Sequence, residues 1–383
     1  MMDRRNLLAA MGLSTLGLAA PKMAFAQTGS RKKFILILQR GAADGLMALA
    51  PTGDRHFTSA RTQFMRDIKD GHKIDSFFTL HAAMSNIARL YGERDALFAH
   101  AVASNYRERS HFDGQNILET GGNSPYAVKS GWMNRLVGLL PNAREQRAVA
   151  LASALPQVLR GDNAAASFVP NNRRSPNAAL LDRLSDLYSD EPLLSNAWEQ
   201  ARMTRDMVGE TGRVGPRDMA AIGALMAKIV KGRDGASLAM YETSGWDTHA
   251  AQSFRTKTEL GKLDSLIGAL KAGLGADWSN TVILIATEFG RTVAMNGTQG
   301  TDHGTASLAY LIGGAVRGGR IVADWPGLAE RQLYQKRDLM PTQSLEMLMA
   351  GTIGTHFGLD SAKVAAQLFP GAIQGRPLSG LVS

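Results

Sequence analysis

The chain has 383 residues, 44% of them hydrophobic and 20% charged, with a formal net charge of +9 and no cysteine. That is enough apolar material for a large buried core, and the missing cysteines exclude disulfides, thiol nucleophiles and thiolate-held metals together. The 43 Lys and Arg are scattered instead of being gathered beside aromatics, which argues against a nucleic-acid-binding face.

Residues 1–26, MMDRRNLLAAMGLSTLGLAAPKMAFA, read as an export signal. An Arg4-Arg5 pair precedes a modest apolar stretch, and Ala24-Phe25-Ala26 supplies the small-residue end of a cleavage site. The apolar run is short and broken by glycines and Pro21, so no stable transmembrane span is expected. Cleavage near Ala26-Gln27 would leave a periplasmic or secreted chain keeping about +7 of the formal charge, because Arg4, Arg5, Lys22 and Asp3 go with the signal. Such a charge favours anionic ligands. The twin-arginine translocase is the partner this implies during export.

Residues 27–383 are expected to form one α/β domain. Six short apolar runs without polar alternation are predicted strands covered on both faces: 33–39, 96–103, 147–153, 237–242, 281–286 and 308–314. Amphipathic patterns at 84–94, 131–140, 216–232 and 253–274 are predicted helices between them, with a last helix near 343–357. This alternation predicts a mainly parallel central sheet flanked by helices. Residues 160–215, poor in strand-like runs, are predicted to be a helical insertion or cap.

In an open α/β sheet, ligands gather beyond the carboxyl ends of the strands. The first run is followed by RGAADGL with Asp44, and the second by YRERSHFDGQ with Arg109, Ser110 and His111. The run at 237–242 leads into GWDTH with Asp247 and His249. The run at 281–286 leads into TEFGRT with Glu288 and Arg291, and then into GTDHG with Asp302 and His303. Each piece alone reads as turn or cap chemistry. Four strand ends that all carry carboxylates, histidines or a serine predict a site, and without thiolates a metal there must be held by imidazole and carboxylate. No G-x-S-x-G elbow, phosphate-binding loop or dinucleotide loop competes with that reading.

The twin-arginine leader, LQRGAADGL, RSHFDGQ, GWMNRL, GWDTH, TEFGRT and GTDHG followed by IGGAVRGG together resemble the exported bacterial family known as domain of unknown function 1501. That family is regarded as related to the alkaline phosphatase and sulfatase superfamily. The resemblance implies an alkaline-phosphatase-like α/β sandwich, with Ser110 as nucleophile at a helix start and Asp44, Asp247, His249 and His303 among the metal ligands. Where the superfamily carries Asp-His-Gly, this chain reads Glu288-Phe289-Gly290, and Asp302 is extra. One divalent ion, zinc, calcium, magnesium or manganese, is therefore expected in preference to two, held by Asp44, Asp247, His249, Glu288 and His303 with Asp302 beside them. Arg109 or Arg291 would clamp anionic oxygens, and His111 would stand beside the nucleophile. The implied activity is hydrolysis of phosphate or sulfate esters, of small-molecule, polysaccharide or lipid origin. The alternative is a non-catalytic periplasmic binding or assembly protein with a degenerate metal site.

Overall fold

The computed structural model describes residues 31–141, 148–169, 178–191, 217–371 and 375–383, with scattered residues between 194 and 215. The predicted export signal and much of the predicted 160–215 insertion lie outside the described residues. Within that insertion, Ala178–Tyr188 is helical.

Nine strands form the central sheet: β1 (Lys33–Gln39), β2 (Ala96–Ala103), β3 (Ala148–Ala150), β4 (Ala166–Ser167), β5 (Leu238–Thr243), β6 (Thr281–Ala286), β7 (Ser307–Ile312), β8 (Arg320–Val322) and β9 (Gln343–Ser344). Their order is β8-β2-β7-β6-β1-β5-β3-β4, with β9 also on β2. The sheet is mainly parallel, as the run pattern predicts; β7 alone runs against both of its neighbours. All six predicted runs fall on strands. β4, only two residues long, carries no run that could announce it.

Alternation along β1 divides the core. Phe34, Leu36 and Leu38 face one apolar layer, and Ile35 and Ile37 face the other. The first layer is covered by α3 (Trp132–Leu139) and α6 (Leu345–Phe357), the second by α4 (Met219–Val230) and α5 (Gln252–Leu274); α1 (Gly45–Ala48) and α2 (His111–Thr120) lie at the carboxyl edge. On α5, Leu260, Leu263, Ile267, Leu270 and Leu274 recur at intervals of three and four and form one buried stripe. The result is a helix-sheet-helix sandwich. No helix among the described residues is long and apolar enough to cross a membrane.

Two core histidines make the fold acid-sensitive. His100 on β2 bonds the Leu49 carbonyl at 3.1 Å, and His356 on α6 bonds the Lys33 carbonyl at 3.1 Å. Burial pushes each imidazole down to about 4. Below pH 6.5 the unfolded chain takes up protons that the folded chain refuses, so their contribution is fully present above pH 6.5 and is lost as pH falls toward 4. Urea midpoints should fall over that window by an amount equivalent to about 3 kcal/mol per histidine, and His100→Gln should remove about half of the fall. A flat profile between pH 6.5 and 4 would contradict this.

Candidate metal centre

The carboxyl ends of β1, β2, β5 and β6 share one edge of the sheet, and the reversed β7 begins there. After β1, Gly41 turns the chain with φ 116°. A Cβ at Gly41 would lie 2.7 Å from the Asp247 nitrogen, so glycine lets the loop after β5 sit against the loop after β1. That loop is anchored by buried Trp246, whose indole donates to Thr243 Oγ1 at 2.9 Å. After β6 the chain forms a hairpin: Arg291 pairs with His303, and Gly304 N donates to the Gly290 carbonyl at 2.8 Å. The hairpin tip clamps the loop after β5, because Asn296 Nδ2 and Thr298 Oγ1 both donate to the His249 carbonyl.

These elements bring His111, Asp247 and His303 together, with one ligand atom of each within 4.8 Å of the others. His249 joins them: its Nε2 lies 2.9 Å from Asp247 Oδ1 and 3.0 Å from His303 Nε2. Each imidazole gives its Nδ1 hydrogen to a separate acceptor. His111 donates to Glu288 Oε1 at 2.8 Å, His249 to Asp302 Oδ1 at 3.0 Å, and His303 to the Arg109 carbonyl at 3.0 Å. Arg109, with φ 61°, holds that carbonyl in place from a left-handed conformation. In neutral rings the three Nε2 lone pairs are therefore left toward Asp247. Two of them face each other at 3.0 Å, which requires a proton or a cation between them. Among the described residues His111 Nε2 has no hydrogen-bond partner, and Asp247 Oδ2 lies 3.6 Å from it.

The charges around these groups are strongly coupled. The Glu288 hydrogen bond raises the His111 pKa against the opposing effect of burial. Burial and the neighbouring His111 lower that of His303. Burial, the largest single influence on Asp247, would raise it, but the hydrogen bond and charge of Arg291 together with His249 and His303 outweigh burial and hold the carboxyl below its ordinary range. Hydrogen bonds from Asn296 and His249 lower Asp302.

The other expected site residues take different positions. Glu288 is fully buried and stands behind His111: Oε1 also accepts from Gly41 N at 2.8 Å and Gln115 Nε2 at 3.2 Å, while Oε2 accepts from Thr287 Oγ1. Asp302 similarly stands behind His249. The structure does not bring Asp44 to the cluster. One of its oxygens caps α1, and the carboxylate pairs with fully buried Arg61 and accepts from Gln252 Nε2. Arg291, also fully buried, donates to Asp247 Oδ1 at 2.8 Å and to Thr301. Arg109 is held by Asp338 and Gln335. Ser110 heads α2 and makes no side-chain capping bond. Phe289, where a further imidazole was expected by resemblance, is buried against His111 and His303 with ring centroids 5.1 and 5.3 Å away.

Sequence reasoning missed Gln115, Arg61, Gln252 and Asp338. Gln115 lies four residues after His111 on one helix face, a spacing that could have flagged it. Arg61 and Asp338 carry no local signal.

A family model covers residues 101–369, more than half of the chain. The chain belongs to the family described as protein of unknown function (DUF1501). No curated protein matches this DUF1501 chain. Among solved structures it is similar to Ps i-CgsB in complex with k-i-k-neocarrahexaose, at 12% identity and a TM-score of 0.42, covering 88% of this chain and 74% of that one. It is also similar to alkaline phosphatase from the Antarctic bacterium TAB5, at 12% identity, TM-score 0.36 and coverage of 76% and 94%. Phosphonate monoester hydrolase of Agrobacterium radiobacter gives 11%, 0.35, and 86% and 84%. All three combine broad coverage with low identity and low TM-score.

Proposed function

We propose that this DUF1501 protein is an exported, metal-dependent hydrolase of phosphate or sulfate esters, built as one alkaline-phosphatase-like domain over residues 27–383 with its insertion at 160–215. The observation that carries this reading is the convergence of three imidazole Nε2 atoms on Asp247, each ring already fixed through Nδ1. Outer partners of this kind orient imidazole ligands and raise their basicity.

His111, His249, His303 and Asp247 would hold the ion, and the buried Nε2 of His111, which has no hydrogen-bond partner among the described residues, suits a cation ligand. Three imidazoles and a carboxylate suit zinc better than calcium, magnesium or manganese. When bound, such an ion supplies Lewis-acid polarisation of an ester oxygen and favours ionisation of a nearby hydroxyl. The remaining work falls to the chain itself. Ser110 is the nucleophile in this reading, placed at the positive end of α2, where an anionic ester is favoured. Glu288 and Asp302 keep protons on the Nδ1 atoms of His111 and His249. Arg291 offsets one carboxylate charge at Asp247, which favours one divalent ion over two.

A non-catalytic binding or assembly role is the second reading. It is favoured by Asp44, whose carboxylate is engaged by Arg61 and Gln252, and by Phe289 in place of an imidazole. Elemental analysis of metal-replete protein, with a panel of nitrophenyl phosphate and sulfate esters, separates the two. Bound divalent metal with turnover that Ser110→Ala lowers roughly a thousand-fold or more, at unchanged metal content, supports the hydrolase. Metal with no turnover beyond that of Ser110→Ala supports the binding role. Absence of any divalent metal would sink both as metal-centred readings.

A further inference from the structure

Next to His303, on the side away from Asp247, the chain places two arginines around one buried carboxylate. Asp338 is fully buried and accepts from Arg109 Nε at 2.9 Å, Arg337 Nε at 2.8 Å and Thr305 Oγ1 at 2.7 Å. Two guanidinium charges thus face a single carboxylate, which leaves one positive charge over. Both arginines also touch His303. The Arg109 carbonyl meets its Nδ1 at 3.0 Å, and Arg337 Nη2 donates to its carbonyl at 2.8 Å. Nη1 of each guanidinium makes no hydrogen bond among the described residues. Arg337 keeps 46% of its side chain exposed, so its unused edge is open to solvent.

The same arginine borders a surface depression of about 300 Å³. Ala60, Val293, Leu328 and Leu333 give it an apolar floor, while Lys336, Arg337 and one carboxylate, Glu330, line its rim. Lys336 is 78% exposed, and its acidic neighbour Glu330, 3.9 Å away, is 74% exposed, so the two are held together only weakly and Glu330 offsets one of the positive charges there. Gln335 and Lys336 have φ values of 53° and 56°, in the left-handed region that non-glycine residues seldom adopt, and such strain gathers at functional sites.

We propose that this depression is a second, anion-binding subsite, which takes a remote carboxylate, sulfate or phosphate group of the substrate while its apolar body lies on the floor. The substrate class is then an ester whose body carries another anionic group. This rests on the hydrolase reading for the word substrate, but the subsite itself needs neither metal nor turnover. Charge complementarity selects the occupant: Lys336 and Arg337 outnumber the single carboxylate of Glu330, and the planar unused edge of the Arg337 guanidinium matches an oxyanion.

The test is isothermal titration of the purified full-length chain with naphthalene-1-sulfonate, an anion on an apolar body that contains no ester bond. The parent should bind it saturably. Arg337→Gln should weaken binding at least ~10-fold, and the surface change Lys336→Glu should weaken it several-fold without threatening the fold. Asp247→Asn should leave it intact. Absence of saturable binding, parent-like binding by both rim variants, or loss of binding in Asp247→Asn would each overturn the proposal. Zinc content and ester turnover, measured on the same samples, report on the hydrolase reading separately: sulfonate binding without them leaves the subsite standing and removes the ester.

Discussion

Expressed with ample zinc and purified without chelator, the parent chain is expected to carry zinc at the proposed centre and His303→Ala to carry none. His303 supplies one of the two Nε2 atoms that face each other at 3.0 Å, and it also contacts Asp247 Oδ1 at 3.2 Å. Its removal deletes a ligand and releases the Arg109 carbonyl from its only role toward that ring. Changes to outer partners of metal-bound histidines cost about 10–100-fold in affinity, and loss of the ligand itself should exceed that. Glu288→Gln provides the internal scale. It keeps an acceptor near His111 Nδ1 but removes the charge behind it, so its loss should fall within the 10–100-fold range. His72→Ala, whose imidazole lies against the Ala82 carbonyl and Ser85 and not against any residue of the cluster, should leave zinc unchanged. Competition with a chromogenic chelator measures all three, and full zinc retention by His303→Ala would rule out the centre drawn here.

Arg61→Ala should unfold at markedly lower urea concentration, equivalent to about 3–5 kcal/mol, the cost of breaking a buried ion pair from one side. Its guanidinium is fully buried, pairs with both Asp44 oxygens at 2.6 and 3.3 Å, and donates to the Val293 and Thr292 carbonyls. Without it, Asp44 keeps only Gln252 and two α1 amides for a charge that water cannot reach. Arg61→Lys should recover little, because a single ammonium cannot span the carboxylate and two carbonyls at once. The folded fraction of Arg61→Ala should still bind zinc at the parent's stoichiometry. Zinc loss in Asp44→Asn without loss of stability would instead make Asp44 a ligand, as the family resemblance implied.

The sheet was legible because its strands are covered on both faces. Such strands lack polar alternation, so KFILILQ and TVILIA stand out as short apolar runs against amphipathic helices. The edge that carries the site followed from the parallel order, since several strand ends had to lie together. Division of labour within the site was not legible. Glu288 and Asp247 are both acids just beyond strand ends, yet one is sealed behind His111 and the other faces the three imidazoles. Contacts between segments more than 170 residues apart, such as Glu288 with His111, decide which is which. Arg61, Gln252 and Asp338 were invisible for the same reason: a lone arginine or glutamine in a polar stretch says nothing about the carboxylate it will meet.

The reversal of β7 has a consequence in distance. A six-residue strand advances about 20 Å. Had β7 run parallel to β6, the chain would have needed a crossover to the far edge of the sheet, and the residues before β7 would have begun about that far from Asp247. Running it backward removes the crossover, so that one short hairpin leaves the edge and returns to it, and Arg291 and His303 face each other as a cross-strand pair. Every other pair of walls is joined through at least one helix and a full traverse of the sheet.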